Sequence, residues 1–183
     1  GLSPAGRVEL QVKEQSLEDQ IRATSCLNSG DLVLVTGGAR GVTAAAAIAL
    51  ARACQPTLVL IGRSPSPQPE PDYLSGVIEA AHIKQALATH GAASTPRALD
   101  QQCRQVLANR ELEQTLSALR DAGVTAEYRS VDVRDVAAVC ELVEDLTRTY
   151  GPVRGVMHGA GVLADQRIED KTREQFDRVF GTK

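Results

Sequence analysis

The strongest constraint on the fold of this chain is a glycine-rich segment between an apolar run and an alanine-rich stretch. The apolar run spans residues 31–35, and the alanine-rich, helix-forming stretch spans residues 44–53. A strand, a glycine turn and a helix in this order bind the pyrophosphate of a dinucleotide, because glycines let the backbone approach the phosphates and the helix start offers unpaired N–H groups. We therefore predict a nicotinamide cofactor here, with candidate contacts at Thr36, Gly37, Gly38, Arg40, Gly41 and Val42.

This segment departs from the usual dinucleotide fingerprint at one position, since Thr43 stands where the third glycine is expected. A glycine-rich turn after a strand is also frequently no more than a turn. The strand before it and the helix after it nevertheless favour the phosphate-binding interpretation.

Composition excludes several classes of partner. The 183 residues include 20 Lys and Arg and 23 Asp and Glu, for a net charge of -3. This balance gives no reason to expect nucleic acid or an anionic membrane surface. No apolar run approaches the ~18 residues that span a bilayer, and the first residues do not have the pattern of a signal peptide. We therefore expect a cytoplasmic protein.

The cysteines indicate neither a disulfide framework nor a metal site. They show no C-x-x-C pairing and lie at Cys26, Cys54, Cys103 and Cys140. Reduced structural thiols are the simplest interpretation, and no metal is predicted.

Beyond the first 30 residues, which are predicted to be an adjoining segment, the apolar pattern is that of an α/β domain over 31–183. Four predicted strands occupy residues 32–35, 57–61, 126–131 and 153–157, and all but the strand over 126–131 are short apolar runs. Short apolar runs of this kind are buried on both faces in a parallel sheet with helices on each side. The fold class is therefore a Rossmann-like doubly wound parallel sheet. Before it, a strand over 8–12 and a helix from Ser16 to near Cys26 are expected.

The crossover between the third and fourth of these strands is predicted to be an amphipathic helix. Its apolar residues recur at helical spacing, at Val136, Val139, Leu142, Val143 and Leu146.

A long insertion interrupts the α/β pattern after the second strand, over about residues 65–122. Prolines occur at every second position from Pro65 to Pro71, which neither a helix nor an inner strand tolerates. Thr95 then precedes Pro96 in the manner of an N-cap and first helical residue. We predict a helix from there toward Gly123, either continuous or broken near Asn109.

Two strand ends supply further candidate contacts. Arg63 and Ser64 follow the second strand, where NAD-binding folds usually carry an acidic residue for the ribose hydroxyls. Arg63 instead favours the 2′-phosphate of NADP, because its planar guanidinium matches a phosphate, although a solvated arginine at a strand end is the simpler alternative. Asp132 and Val133 follow the third strand. The Asp132 carboxylate is predicted to accept a hydrogen bond from the adenine amino group, or else to cap the next helix in competition with Asp135.

The fourth strand ends in small residues that would admit a cofactor. We predict contacts with the nicotinamide ribose along His158, Gly159, Ala160 and Gly161, since small side chains let the ribose approach the backbone. A single histidine in this setting is more frequently structural than catalytic, so His158 is not assigned as a base.

A final helix is predicted to begin with a capping box at residues 172–175. Phe176, Val179, Phe180 and Lys183 follow at i, i+3, i+4 and i+7, which predicts that Lys183 shares the inward, apolar face of this helix. A lysine there is unusual unless its ammonium reaches a polar site. The alternative is a lysine that simply favours a helix C-terminus.

The order and spacing of these segments resemble those of the short-chain dehydrogenase/reductase superfamily. More narrowly, residues 31–183 resemble the ketoreductase domains of type I polyketide and fatty acid synthases, and the insertion resembles those of polyunsaturated fatty acid synthases. The resemblance implies NADPH as cofactor and reduction of a β-ketoacyl thioester on an acyl carrier protein, beside neighbouring synthase domains. It also implies that Lys183, in the segment 176–183, is a catalytic residue.

The same resemblance implies a serine and a tyrosine downstream, where the tyrosine donates a proton to the forming alkoxide. Tyr73, Tyr128 and Tyr150 are not followed four residues later by lysine, as the family's tyrosine is. We therefore expect the cofactor-binding portion of a ketoreductase, incomplete at the C-terminus and inactive alone. Two alternatives stay open: a non-catalytic structural reductase-like domain that supports a neighbouring synthase domain, and a dehydrogenase of a free small molecule.

Overall fold

The computed structural model describes residues 2–3, 6–7, 9, 27–91 and 95–183. Near the N-terminus, β1 (Leu2–Ser3) pairs with β2 (Gly6–Arg7) in a short antiparallel ribbon. Apart from Glu9, the predicted strand over 8–12 and the predicted helix over 16–26 lie outside the described residues. Within the described ranges, no helix combines the length and apolar character needed to cross a bilayer.

A four-stranded parallel sheet forms the centre of the domain and confirms the predicted α/β class. Its strands are β3 (Leu32–Thr36), β4 (Thr57–Gly62), β5 (Ala126–Ser130) and β6 (Val153–His158). The order across the sheet is β5-β4-β3-β6. The chain therefore moves outward from β3 to β5 and then returns to the other side of β3 with β6. In doubly wound sheets, this reversal leaves a crevice at the carboxyl ends of the strands.

Helices cover both faces of β3 and β4, and the strands are short apolar runs for that reason. On one face, α1 (Gly41–Cys54) and α3 (Pro96–Asp121) pack against Val35 and Leu60. On the other face, α4 (Val136–Tyr150) packs Leu142 and Leu146 onto the sheet.

The N-cap of α4 is Asp135, whose carboxylate accepts a hydrogen bond from the Ala138 amide at 3.1 Å. This residue, and not Asp132, therefore caps the helix. The predicted apolar face is correct at Leu142 and Leu146, which are buried, but wrong at Val136, which is 74% exposed in the first turn of α4.

The insertion folds into a small helical layer with its own apolar cluster. After the proline-rich stretch come a short 3-10 turn (Asp72–Leu74), then α2 (Ala80–Thr89) and α3. Leu74, Ile83, Leu87 and Cys103 form the buried cluster between them. Arg110 on α3 holds the proline-rich stretch in place through two hydrogen bonds to the Glu70 carboxylate, of 2.6 and 2.7 Å.

The predicted start of α3 is confirmed, since the Thr95 hydroxyl accepts a hydrogen bond from the Ala98 amide at 3.2 Å. Of the two alternatives for its course, the continuous helix is correct, because α3 passes Asn109 without a break. It stops before Gly123, which has a φ of +81° and so ends the helix in the left-handed region.

The sheet is less covered at β6 than the sequence predicts. Residues of β6 alternate between half-buried and exposed, and Val156 is 64% exposed. The expectation that both faces of this strand are buried is therefore wrong: β6 lies at the edge of the sheet among the described residues, and every second residue along it is exposed.

Candidate cofactor site

The carboxyl ends of the four strands open into one groove with a volume of about 640 Å³. Most of the predicted site residues line this groove, although they come from four separate segments of the chain. These residues are Gly37, Arg40, Gly41, Arg63, Ser64, Asp132, Val133, Gly159, Ala160 and Gly161.

Five other predicted residues lie outside the groove lining, among them Lys183, whose position is described below. Gly38 faces the core, because a Cβ built on it would lie 2.5 Å from a Val35 methyl carbon. Thr36 and the exposed residue His158 do not line the groove, and their side chains hydrogen bond to each other at 2.8 Å. Val42 is 87% exposed on the first turn of α1.

Gly37 sits at the point where the turn after β3 touches the segment after β6. Its φ is +70°, and a Cβ there would come within 2.8 Å of backbone atoms of Gly159 and Ala160. Both the backbone conformation and the close approach therefore require glycine. The two segments that border the crevice are thus in direct backbone contact.

The start of α1 faces the groove with its amides uncovered by side chains. Arg40 occupies the N-cap position without a side-chain capping bond, and the first turn carries no acidic residue. A Cβ added at Gly41 would meet no atom within 4 Å, so the space above the turn is open. Unpaired N–H groups, a positive helix end and open space together fit an anionic phosphate.

The threonine at the position of the missing third glycine contacts the other side of the crevice. Gly159 lies directly against Thr43, and a Cβ on Gly159 would overlap the Thr43 side chain. The Thr43 side chain therefore fills the space that a glycine at position 43 would leave empty. The residue that must be glycine at this contact is Gly159.

Two arginines, Arg40 and Arg63, line the groove and make its end beside β4 cationic. Among the described residues, no hydrogen bond or ion pair engages the Arg63 guanidinium, and Arg63 is exposed. Tyr128 donates a hydrogen bond of 2.7 Å to the Ser64 carbonyl and so fixes the backbone after Arg63. Burial raises the pKa of Tyr128, while the nearby Arg40 opposes that shift, so the phenol is neutral. This end of the groove suits a phosphate group.

Asp132 is an ionised hydrogen-bond acceptor at the end of β5. Hydrogen bonds from the side chain and backbone of Arg134 lower the pKa of Asp132 from 3.8 to about 2. The closest contact joins Arg134 Nη2 to Asp132 Oδ2 at 2.8 Å. Because a carboxylate offers several acceptor positions, Asp132 keeps acceptor capacity toward the groove.

His158 connects the ends of β3 and β6 to the segment after α5 (Arg173–Phe180). Its Nε2 lies 3.0 Å from the Thr182 carbonyl oxygen, and its Nδ1 lies 2.8 Å from the Thr36 hydroxyl. A carbonyl only accepts, so in the neutral ring the proton is on Nε2, and Nδ1 accepts from Thr36. The Thr36 hydroxyl in turn accepts from the Ala160 amide at 3.3 Å. Both ring nitrogens of His158 therefore have hydrogen-bond partners within the chain.

Lys183 reaches the groove edge by a route that the helical pattern does not predict. The capping box at Thr172 and Gln175 is confirmed, but α5 ends at Phe180, so Lys183 lies beyond the helix. Phe176 and Phe180 stack on each other and are 51% and 71% exposed, so their face is not inward. The expectation of an apolar face shared with Lys183 is therefore wrong.

The turn after α5 is what carries the lysine to the groove. A Cβ built at Gly161 would lie 3.2 Å from Lys183 Nζ, so the ammonium group is beside the small segment after β6.

Several residues that line the groove are not among the predicted site residues. They are Ala39, Ile61, Gly62, Pro65, Gln105, Tyr128, Val131, Val162 and Thr182. Those adjacent to predicted residues follow from continuity of the strand ends. Gln105 and Tyr128 reach the groove only through packing of α3 and β5, which local patterns do not encode. Among the described residues, no group of three or more His, Cys, Asp and Glu side chains is placed to hold a metal ion.

A parallel sheet that reverses its winding beside β3, with a glycine turn at the reversal, defines the Rossmann-like class of nucleotide-binding domains. Residues 32–183 match the KR domain family, and the chain belongs to that family. This match confirms the resemblance to ketoreductase domains of polyketide and polyunsaturated fatty acid synthases.

Individual relatives agree with this membership. The chain is 32% identical over 168 residues to a polyunsaturated fatty acid synthase of Thraustochytrium sp., and the match covers 86% of this chain and 6% of that protein. A solved N-terminal ketoreductase from the macrolactin assembly line matches with a TM-score of 0.58 and 26% identity, over 85% of this chain and 23% of that one.

A more distant structure shares the fold alone. Carveol dehydrogenase from Mycobacterium avium in complex with NAD matches with a TM-score of 0.54 and 18% identity, over 84% of this chain and 44% of that one. The chain thus spans less than half the length of each protein compared.

Proposed function

We propose that this chain is the NADPH-binding portion of a ketoreductase that reduces a β-ketoacyl group on an acyl carrier protein within a multidomain synthase. The observation that carries the proposal is the Arg63 guanidinium, which lines the groove at the end of β4 without a hydrogen-bonding partner among the described residues. A cation at that position matches the 2′-phosphate that distinguishes NADPH from NADH.

The residues around the groove fit the other parts of such a cofactor. The amides at the start of α1 would hold the pyrophosphate, and Asp132 would accept from the adenine amino group. Gly159, Ala160 and Gly161 would leave space for the nicotinamide ribose. When bound, the dihydronicotinamide would supply the hydride for carbonyl reduction.

Lys183 would act at the reacting end of the groove. Its ammonium group beside Gly161 is close to where the nicotinamide ribose is expected, and a positive charge there would favour a deprotonated or hydrogen-bonding phenol nearby. His158 would support this position by holding the Thr182 carbonyl, one residue before the lysine.

The acyl carrier protein and the neighbouring domains are proposed from the synthase relatives. The matched segment is 6% of the length of the Thraustochytrium synthase, so it would act among many other domains. A cytoplasmic location is proposed on the same basis.

The first test of this proposal is a calorimetric titration of the chain with NADPH and NADH. We expect NADPH to bind more tightly by about tenfold or more, and Arg63→Asp to reverse that preference. Arg154→Asp is the matched control, because it makes the same charge change at the opposite end of the sheet, on β6. An equal preference in wild type, or an equal effect of both substitutions, would contradict the assignment to NADPH.

Turnover is the second test. We expect no reduction of a β-ketoacyl thioester by the 183 residues alone, because none of their tyrosines is followed four residues later by lysine, as the tyrosine of the family is. Measurable turnover would overturn this expectation. A folded chain that binds neither nucleotide would instead favour a non-catalytic domain that supports a neighbouring synthase domain.

A further inference from the structure

The helix α3 of the insertion reaches the cofactor groove at three points along its length. Gln105 lines the groove, Glu111 approaches Arg40, and Thr115 bonds to the backbone of the phosphate turn. Since α3 is one continuous helix from Pro96 to Asp121, these three residues are held in a fixed relation to one another.

The contact at Thr115 is buried and fixes the turn itself. The Thr115 side chain lies 2.9 Å from the Ala39 carbonyl oxygen and 2.9 Å from the Glu111 carbonyl oxygen, and Thr115 is only 7% exposed. The single proton of this buried hydroxyl is shared between the two carbonyls, so Thr115 ties the half-buried Ala39 carbonyl to α3 and helps to hold the peptide between Ala39 and Arg40 in its present orientation. That peptide immediately precedes the open start of α1.

The contact at Glu111 acts on the next residue of the turn. Glu111 Oε2 lies 3.9 Å from Arg40 Nε, and both side chains are about half exposed, at 59% and 49%. A pair at this distance and exposure is weak, so it orients the Arg40 guanidinium without withdrawing it from the groove. Arg40 therefore stays available to an anion on the same side of the groove as Arg63.

Gln105 presents a positioned amide to the groove. Its Nε2 donates to the Asn109 Oδ1 at 3.2 Å, one helical turn further along α3. This bond uses one of the two N–H groups of the amide, so the second N–H is left to donate toward the groove. A neutral donor beside two arginines suits a phosphate better than a bare ribose hydroxyl.

We propose that α3 is a third wall of the cofactor site and contributes to its selection of a 2′-phosphorylated nucleotide. In this assignment, which rests on the proposed function, Gln105 contacts the phosphate, while Glu111 and Thr115 are positioning residues for Arg40 and the turn. The helical insertion is then part of nucleotide recognition and not only a cover over the sheet.

The test compares two isosteric substitutions on α3 by calorimetric titration with NADPH and NADH. Gln105→Glu places a negative charge in the groove, and we expect it to lower the affinity for NADPH about fivefold or more relative to NADH. Gln114→Glu makes the same change at an exposed residue of α3 that does not line the groove, and we expect the ratio of the two affinities to stay within about twofold of wild type.

Thr115 is tested by removing and then restoring its hydroxyl. We expect Thr115→Val to weaken both nucleotides by about fivefold or more, because the turn holds the pyrophosphate common to both, and Thr115→Ser to bind as wild type does. Thermal melts identify variants that have lost the fold. If Thr115→Val is one of them, the comparison of Thr115→Ser with Thr115→Ala replaces it.

The outcomes separate this inference from the function on which it rests. A folded wild-type chain that binds neither nucleotide contradicts both. A wild-type chain that prefers NADPH, with equal effects of Gln105→Glu and Gln114→Glu, overturns the role of α3 and leaves the proposed function in place.

Discussion

The two sides of the groove are built very differently. On one side, β3 and β4 are buried on both faces, and the turn at Gly37 is fixed by backbone contacts. On the other side, β6 alternates between half-buried and exposed residues, and α5 contributes no buried residue. The side of the turn is a completed core, whereas the β6 side presents apolar surface at Val156 and Phe180.

This difference separates nucleotide binding from catalysis in physical terms. The groups proposed for the pyrophosphate and the 2′-phosphate directly follow β3 and β4, which are buried on both faces. Lys183, by contrast, follows a helix with an exposed apolar face and is held through the bond between His158 and Thr182. We therefore expect substitutions beside the turn to have larger effects than equal substitutions on the β6 side.

The largest effect is expected at Gly37. Gly37→Ala would force a Cβ to within 2.8 Å of three backbone atoms, at a φ of +70°. Because backbone atoms cannot move aside as a flexible side chain can, we expect a loss of about 3 kcal/mol or more in the free energy of unfolding and no measurable NADPH binding. Urea denaturation and calorimetry would measure the two effects.

Gly76→Ala is the control for this substitution. Gly76 has a similar φ of +75°, but no atom lies within 4 Å of its Cβ position. We expect a cost of about 1 kcal/mol from the left-handed backbone alone, with NADPH binding intact. Equal costs at both glycines would show that the contact between the two segments does not constrain the crevice.

A second prediction compares valines on neighbouring strands. Val35 on β3 is fully buried, whereas Val156 on β6 is 64% exposed. We expect Val35→Ala to lower the free energy of unfolding by about 2–3 kcal/mol, since it leaves a cavity, and Val156→Ala by no more than about 0.5–1 kcal/mol. Chemical denaturation measures both. A similar cost for Val156→Ala would mean that the outer face of β6 is covered in solution.

The smallest expected effect is the contribution of Asp132 to the pH dependence of stability in acid. Its pKa in the folded chain, about 2, lies below the ordinary 3.8, so the unfolded chain binds more protons in between. The stabilising contribution of this carboxylate is therefore complete above about pH 4 and is lost as the pH falls through 2.

Arg134 is the main cause of that shift, and its removal provides the test. We expect Arg134→Ala to raise the pKa of Asp132 toward 3.8 in an NMR titration of the carboxyl carbon. Arg63→Ala should raise it less, because Arg63 acts only through its more distant charge. A pKa that stays near 2 without Arg134 would assign the shift to another group.

Local sequence patterns predict those parts of the fold in which a short segment can adopt only one stable conformation. The apolar runs at β3 and β4 and the cap at Thr95 are such segments. The turn around Gly37 is also predictable, because few sequences other than glycine-rich ones can make it. The strands β3 and β4 and the turn around Gly37 together form the side of the groove that the sequence predicts.

Features that depend on distant neighbours are not predictable in this way. The exposure of Val156 on β6 depends on which elements pack over the strand. The other two exposed positions of β6, Arg154 and His158, carry polar side chains, so only Val156 departs from what its side chain predicts. The helix α2 rests on few apolar positions, among them Ile83 and Leu87, and its partner Leu74 is on a different element. Gln105 enters the groove because α3 packs across the phosphate turn, which only the tertiary structure establishes.

The contact between Thr43 and Gly159 links the evolution of two distant sequence segments. The crevice has space for one side chain at this point, and position 43 supplies it. A residue with a side chain at position 159 would fit only if position 43 were glycine. The two positions should therefore vary together among relatives. A designer who restored the third glycine of the fingerprint would therefore open a vacancy that position 159 is able to fill.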